Sequence, residues 1–177
     1  VKNTPYVQNS SEQVALSLTE SYGKNCKGFI DAFPNTFQKF NELYGYDDEK
    51  GKGGRLYSKY ELHIPYFFEC PDVATREKMI RVVDIGIDGK WDADAVGLFQ
   101  ESAFSLVKNN PNDATEILDK LSNDKASSFW FFLFDGPHPN DKENINKVDV
   151  IIRLFGNKSK QSKLLLVQVR KLRTSEH

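Results

Sequence analysis

The segment DGPHP, residues 135–139, places Asp135 and His138 three positions apart. Imidazole titrates near neutral pH and a nearby carboxylate can fix its tautomer, so the pair has the chemistry of a general base and its orienting acid. Catalysis also requires a nucleophile or a metal ion, and the sequence shows neither beside this pair. Asp and His next to proline in a turn more often form local backbone hydrogen bonds. Asp135 and His138 are therefore candidate binding residues, with an enzyme built on a dispersed Asp/His site as the alternative.

Four aspartates lie in the segment DIGIDGKWDAD, residues 84–94, and calcium is the ion that such a segment would bind. An EF-hand loop begun at Asp84 would have an aspartate and a glycine at its fifth and sixth positions, as required. Its third and twelfth positions are Gly86 and Ala95, so two ligands are missing, including the bidentate one. We expect Asp92 to cap a helix instead. No metal site is predicted here.

The two cysteines, Cys26 and Cys70, and the three histidines are dispersed along the chain, without the spacing of a zinc site. The sequence contains no dinucleotide fingerprint, no phosphate-binding glycine loop and no nucleophile elbow. We therefore predict no cofactor. In an oxidising compartment the two cysteines would pair, and otherwise they would remain as two buried thiols.

Tyr46 and Trp91 are the aromatic candidates for contact with a partner protein. A few aromatic side chains carry most of the affinity in protein interfaces, and these two lie beside segments rich in charge and glycine. Ordinary packing is the alternative for Tyr46. For Trp91 it is a hydrophobic staple with Val96 at a helix start.

Composition and charge limit the classes of partner. Apolar residues make up 39% and charged residues 28% of the 177 residues, as in globular domains. The net charge is −1, and residues 141–177 hold nine Lys or Arg against four Asp or Glu. The basic residues between 158 and 173 have no aromatic side chain among them for stacking on bases. No apolar run approaches the roughly 20 residues of a membrane span. We predict neither a nucleic-acid partner nor a membrane span.

Stripes of apolar residues predict the elements that must position these side chains. Helical spacing, with capping residues before it and Gly or Pro after it, predicts helices over about 11–22, 37–44, 72–88, 92–109, 113–121 and 127–134. Gly45 is expected in the left-handed conformation after the second of these. Pro65 either kinks one helix or starts another. Residues 46–55 hold three glycines and nothing to bury, which predicts an exposed loop.

The C-terminal region has two interpretations. Ile145, Val148, Ile152 and Phe155 keep helical spacing, whereas the β-branched segments within 148–172 allow a β-hairpin, and we favour helix. The sequence thus predicts an all-α fold of stacked αα-hairpins, a bundle or short solenoid, with a C-terminal β-hairpin as the alternative. We expect a single domain over 1–177, flexible at 1–9 and frayed at 174–177.

Two segments resemble parts of known proteins: DGKWDADAV (88–96) and FWFFLFDGPHP (129–139) are similar to segments of small, mostly helical bacterial proteins of uncharacterised function. The resemblance covers about the middle half of the chain. It implies an all-helical bacterial domain and carries no activity with it. Because the chain begins at Val1 and not at Met, we expect an exported or periplasmic protein.

The absence of a catalytic set, together with abundant helix and divided surface charge, favours a non-enzymatic protein-interaction domain. It would be an adaptor or an immunity or inhibitor-type binder of another protein. The alternatives are the enzyme with a dispersed Asp/His site and a small-ligand carrier, which would show an apolar pocket lined by Phe and Tyr.

Overall fold

The computed structural model describes residues 10–175, whose regular secondary structure is almost entirely helix. The α-helices in this range are α1 (Ser11–Ser21), α2 (Cys26–Ala32), α3 (Phe37–Tyr44), α4 (Tyr60–Glu69), α5 (Thr75–Gly86), α6 (Ala95–Asn109), α7 (Pro111–Asp119), α8 (Asn123–Phe134), α9 (Lys142–Phe155) and α10 (Lys160–Thr174). A two-stranded antiparallel sheet, β1 (Tyr46–Asp47) and β2 (Lys52–Gly53), is followed by a short 3-10 helix at Tyr57–Lys59. The predicted all-α class is confirmed. The flexibility expected at 1–9 concerns residues outside the described range.

The C-terminal region is helical, and the β-hairpin alternative for 148–172 is wrong. Side-chain caps decide this, because Asp141 Oδ1 accepts from Asn144 N at 2.7 Å and Ser159 Oγ from Ser162 N at 3.1 Å. Each cap satisfies an amide that a helix start leaves free. Helix α10 runs to Thr174, the first residue of the tail that was expected to fray. Residues 176–177 lie outside the described range.

Helix α8 lies at the centre of the packing. It contacts α10 most extensively and also touches α5 and α6. Phe129, Trp130 and Phe132 of this helix are fully buried. Gly86 permits the close approach of α5, because a Cβ atom there would lie 2.6 Å from Phe129 Cδ2. Because α6 contacts both α8 and α9, the turn joining α8 to α9 lies against α6.

The segment 46–55 is more ordered than the predicted loop. Its tip is exposed, but β1 and β2 pair across it, and Gly54 N donates to Gly45 O at 2.8 Å. A Cβ atom on Gly54 would collide with the carbonyl oxygens of Glu42 and Leu43. Gly45 itself has φ −76°, so the left-handed conformation predicted for it is wrong. Because Gly54 has no Cβ atom, the backbone of this segment can lie directly against the end of α3 and form a hydrogen bond with it.

Two helices begin three residues after their predicted starts. Helix α5 begins at Thr75, and α6 begins at Ala95 and not at Asp92. The chain cannot continue the helix backwards through Asp94, whose φ is +59° and whose carboxylate accepts from the Tyr57 hydroxyl. The capping role predicted for Asp92 is therefore wrong. Pro65 lies inside the single helix α4.

Cys26 and Cys70 form a disulfide, which decides between the two alternatives left by the sequence. Their Cα atoms are 5.8 Å apart, and the bond joins the start of α2 to the end of α4. The buried Lys78 of α5 donates from Nζ to the carbonyl oxygens of Phe68 and Cys70. A cation at these carbonyls is favourable because they belong to the C-terminal end of α4. The disulfide and the hydrogen bonds from the Lys78 ammonium group thus both hold the end of α4 in place.

His63 is a buried core residue and not a ligand. It is 2% exposed, its Nδ1 and the Tyr44 hydroxyl form a hydrogen bond of 3.0 Å, and the rings of Tyr22 and Phe29 pack on it. Burial lowers the pKa of His63 from 6.5 to about 4, with a smaller contribution from Lys59. The imidazole is therefore neutral in the folded protein at neutral pH.

This lowered pKa predicts a stability that depends on pH. His63 takes up a proton near pH 6.5 in the unfolded chain and only near pH 4 in the folded protein. The contribution of the neutral imidazole to stability is therefore complete above pH 6.5 and is lost as the pH falls towards 4. We expect the free energy of unfolding to drop by about 2 kcal/mol more between pH 7 and pH 5 in the wild type than in His63→Asn. Urea titrations at both pH values measure this difference. Equal pH dependence in the two proteins would contradict it.

Candidate functional site

Three of the four candidate binding residues lie together. Trp91, Asp135 and His138 line a cleft of about 300 Å³, which we call the Trp91 cleft. Its walls are the connection before α6, the first half of α6, the turn between α8 and α9, and the first turns of α9. Residues 88–96 and 129–139, which are distant in the sequence, thus meet at one place in the fold.

Two amide side chains hold the turn that forms one wall of the Trp91 cleft. Gln100 Nε2 donates to Phe132 O at 2.6 Å and to Asp135 O at 3.1 Å. Asn144 Nδ2 donates to Phe134 O at 3.2 Å. The last carbonyl groups of a helix have no partner within the helix, and these amides supply one from α6 and α9. The wall is therefore fixed before any ligand arrives.

Asp135 and His138 do not form the pair of base and orienting acid. Asp135 Oδ2 accepts the backbone N–H of Trp91 at 2.7 Å, which joins the two sides of the cleft. The His138 side chain is exposed, and within residues 10–175 it makes no hydrogen bond to Asp135. Asp135 therefore positions Trp91, while His138 is free to meet a ligand at the rim.

This geometry predicts different outcomes for two alanine substitutions. Asp135→Ala should lower the free energy of unfolding by about 1 kcal/mol, because the Trp91 amide loses its acceptor. His138→Ala should change it by less than about 0.5 kcal/mol, as expected for an exposed side chain outside any network. Urea unfolding followed by circular dichroism measures both. A larger loss for His138→Ala than for Asp135→Ala would contradict these roles.

The Trp91 cleft has an excess of negative charge. Its lining contains the carboxylates of Glu101, Asp135, Asp141 and Glu143, against the single ammonium group of Lys147. Lys147 Nζ lies 2.6 Å from Glu101 Oε1 and 3.1 Å from Glu143 Oε1. It also lies 5.5 Å from the centre of the Phe104 ring. One cation is thus already held here by two carboxylates and an aromatic face, and three carboxylates remain in excess.

Sequence reasoning did not single out Gln100, although a signal for it was present. Gln100 is 6% exposed and lies next to Phe99 on the buried side of α6. A glutamine on an apolar helix face must find hydrogen-bond partners in the interior, so it marks a place where another chain segment presents polar groups. Glu101 and Lys147 had no such signal, because charged residues on helices are usually solvated.

Tyr46 lies on a separate cleft. That cleft measures about 530 Å³ and is formed by α3 and the pair β1–β2, with Phe37, Asn41 and Lys50 among its lining residues. Tyr46 is 42% exposed, and its ring centre is 5.3 Å from that of Tyr57. The four candidate residues are therefore divided between two places, and the structure does not bring Tyr46 to the other three.

Residues 10–175 contain no group of three or more His, Cys, Asp or Glu side chains placed to hold a metal ion. Within the same range, no helix combines the length and the apolar character needed to cross a membrane. The chain matches no protein-family model, and no curated protein and no solved structure is detectably similar to it.

Proposed function

We propose that this chain is a non-enzymatic protein-interaction domain, an adaptor or an immunity or inhibitor-type binder, and that the Trp91 cleft receives part of its partner. The observation that carries the proposal is the exposure of Trp91. This side chain is 38% exposed at the edge of a cleft whose wall is fixed by buried amides. Trp91 is in contact with water, whereas the other tryptophan, Trp130, is fully buried. An exposed side chain of this size and aromatic character is a natural anchor for an interface.

The rigidity of the cleft supports recognition of a partner. Binding loses affinity when loops and side chains must be ordered at the interface, and a site fixed in advance avoids that loss. The bond from Trp91 N to Asp135 and the two bonds from Gln100 provide this fixation. The size of the cleft, about 300 Å³, suits one side chain of a partner better than a large substrate.

The rival functions receive less support from the same contacts. An enzyme using Asp135 and His138 would need the Asp135 carboxylate for the imidazole, whereas that carboxylate bonds the Trp91 amide. A carrier would need an apolar pocket, whereas the Trp91 cleft is lined by several charged groups. The disulfide favours an oxidising compartment for the protein.

A photo-crosslinking experiment in the native cells tests the proposal. Benzoylphenylalanine is placed at position 138, an exposed rim position without side-chain hydrogen bonds among the described residues, and as a control at position 80. Ile80 is 45% exposed on α5 and does not line the Trp91 cleft. We expect a single protein adduct from position 138 and none from position 80. Adding Trp91→Ala to the position 138 protein should reduce the adduct about tenfold or more, as for an interface hot spot.

Three outcomes would count against the proposal. One is the same set of adducts from positions 138 and 80, which would indicate random collision. Another is an adduct from position 138 that Trp91→Ala leaves unchanged. The third is the absence of any protein adduct from position 138 in cells that express the protein at its normal level.

A further inference from the structure

We infer that the Trp91 cleft binds the guanidinium group of an arginine in a basic segment of the partner protein. This inference rests on the proposed function and names the chemistry of the partner. Three features around a cavity that fits one side chain carry it: an excess of three carboxylates, the exposed indole of Trp91, and an amide oxygen that accepts no hydrogen bond from residues 10–175.

Charge selects a cation over an anion or a neutral group. Lys147 neutralises one unit of charge between Glu101 and Glu143, and the cleft lining then still carries three carboxylates in excess. Glu101 and Glu143 are 63% and 74% exposed, so their remaining oxygens can turn towards a ligand. The C-terminal end of α8 also lies at the cleft and adds partial negative charge. An arriving cation is attracted, and a carboxylate or phosphate is repelled.

Gln100 adds an acceptor that points to a hydrogen-bond donor in the ligand. The side chain is 6% exposed, and Nε2 donates to two carbonyl oxygens, whereas within residues 10–175 Oε1 accepts no hydrogen bond. Oε1 is also not sealed inside the protein. The side-chain polar atoms in this range that are fully enclosed and lack a partner belong to Asn41, Ser162 and Arg173. The open space that Gln100 lines is the Trp91 cleft. Its free acceptor is therefore available to an N–H group bound there.

The indole ring favours arginine among the cations. A guanidinium group is planar, stacks on an aromatic face and presents five N–H donors to carboxylate and amide oxygens, whereas an ammonium group is compact and strongly hydrated. Trp91 supplies the exposed ring, and the carboxylates and Gln100 Oε1 supply acceptors. The chain already holds Lys147 in the same way, between two carboxylates and the Phe104 ring.

The direct test uses the blocked residue N-acetyl-arginine methylamide as the probe, with the citrulline analogue as its uncharged isostere. Binding is followed by the chemical shifts of the Trp91 indole N–H and the Gln100 side-chain amide. We expect saturable shifts at both groups with arginine in the millimolar range, and at least tenfold weaker binding of citrulline. Free arginine, whose carboxylate the cleft repels, should bind more weakly than the blocked form. Tighter binding of free arginine would point to a small-molecule site and would overturn the partner assignment.

Gly97 allows the cleft to be closed without damage to the fold. A Cβ atom at this position of α6 would meet only Asp92 O, at 3.7 Å, so a side chain has room there. Because Gly97 lines the cleft, Gly97→Leu should fill it and abolish the arginine-dependent shifts. Gly97→Ala adds only a methyl group and should weaken binding of the probe much less than Gly97→Leu does, as expected if the volume of the side chain closes the cleft. A thermal unfolding midpoint at or above that of the wild type confirms that both variants fold, because glycine is a poor helix former.

A charge variant completes the test. Glu143→Gln should weaken binding of the blocked arginine by roughly two- to fivefold, the usual contribution of one exposed ion pair. Glu20→Gln removes an exposed carboxylate from α1, outside the cleft, and should leave binding unchanged. Equal effects of both substitutions would show that only the overall charge of the protein matters and would overturn the inference.

The failure of this inference and that of the proposed function are distinguishable. If position 138 crosslinks to a partner in a Trp91-dependent manner while citrulline binds as well as arginine, the protein-interaction function stands and the arginine assignment is wrong. If neither probe causes shifts and the crosslink is present, the same conclusion follows. If arginine binds selectively but no protein is crosslinked, the site is real and the proposed function is wrong.

Discussion

Removing the disulfide should lower the free energy of unfolding by on the order of 4 kcal/mol. Cys26 and Cys70 are 44 residues apart, and a cross-link that closes a loop of this length restricts the unfolded chain by about this amount in the chain-entropy model. Such a loss is a large part of the 5–15 kcal/mol, roughly, that stabilises most domains. Urea unfolding of the oxidised protein and of the protein treated with a phosphine reductant measures the difference.

The double variant Cys26→Ala/Cys70→Ala is the control for packing. Both side chains are buried, at 9% and 2% exposure, so part of the loss in this variant would come from missing sulfur atoms. The reduced wild type retains the sulfur atoms and isolates the effect of the cross-link. An unfolding curve that does not move after both thiols have become reactive would refute the prediction.

Trp130→Ala should be about as damaging, with a loss of about 3–5 kcal/mol, because it removes a fully buried ring from the centre of the fold. The ring packs against Phe129, Phe134 and Phe155, so its removal leaves a cavity between α8 and its neighbours. Its Nε1 also donates to Gln161 Oε1 at 2.9 Å. Thermal or urea unfolding measures the loss.

The second tryptophan is a control within the same chain. Trp91 is 38% exposed, so Trp91→Ala should cost less than about 1 kcal/mol. Trp130→Phe separates ring volume from hydrogen bonding, because phenylalanine keeps most of the packing but leaves Gln161 Oε1 without its donor. We expect an intermediate loss of about 1–3 kcal/mol for it. Equal losses for Trp91→Ala and Trp130→Ala would contradict the burial described for α8.

The helices were predictable where a local signal marks both ends. Ser10 and Thr36 cap α1 and α3, because a side-chain oxygen before an apolar stripe acts within one turn. The start of α6 was not predictable. Asp94 adopts a positive φ and bonds Tyr57, which is 37 residues away in the chain, and no local pattern reports such a contact.

The C-terminal region shows that the secondary-structure propensities of its residues do not determine its structure. Its β-branched residues suit strands, but their spacing also suits helices that bury one face. The caps at Asp141 and Ser159, together with the packing of α10 against α8, decide for helix. The small sheet formed instead in the glycine-rich segment 46–55. There the requirement for close backbone approach at Gly54, which depends on the position of α3, determined the structure.

Half of the candidate site was predictable. Trp91, Asp135 and His138 were chosen by residue type, and the fold places them on one cleft. Their neighbours Gln100, Glu101 and Lys147 come from α6 and α9, and only the tertiary arrangement shows that these side chains face the same space. The bond between Asp135 and the Trp91 amide spans 44 residues, so the positioning role of Asp135 was also beyond the sequence.

Lys78 limits the effect that reduction of the disulfide has on the structure. Its ammonium group binds the carbonyl oxygens of Phe68 and Cys70 and does not involve the sulfur atoms, so we expect the end of α4 to keep this anchor in the reduced protein. We therefore expect reduction of the bond to lower the stability of the protein without changing its fold. The resistance of the protein to heat would then depend on the redox state of its surroundings, whereas its binding of a partner would not.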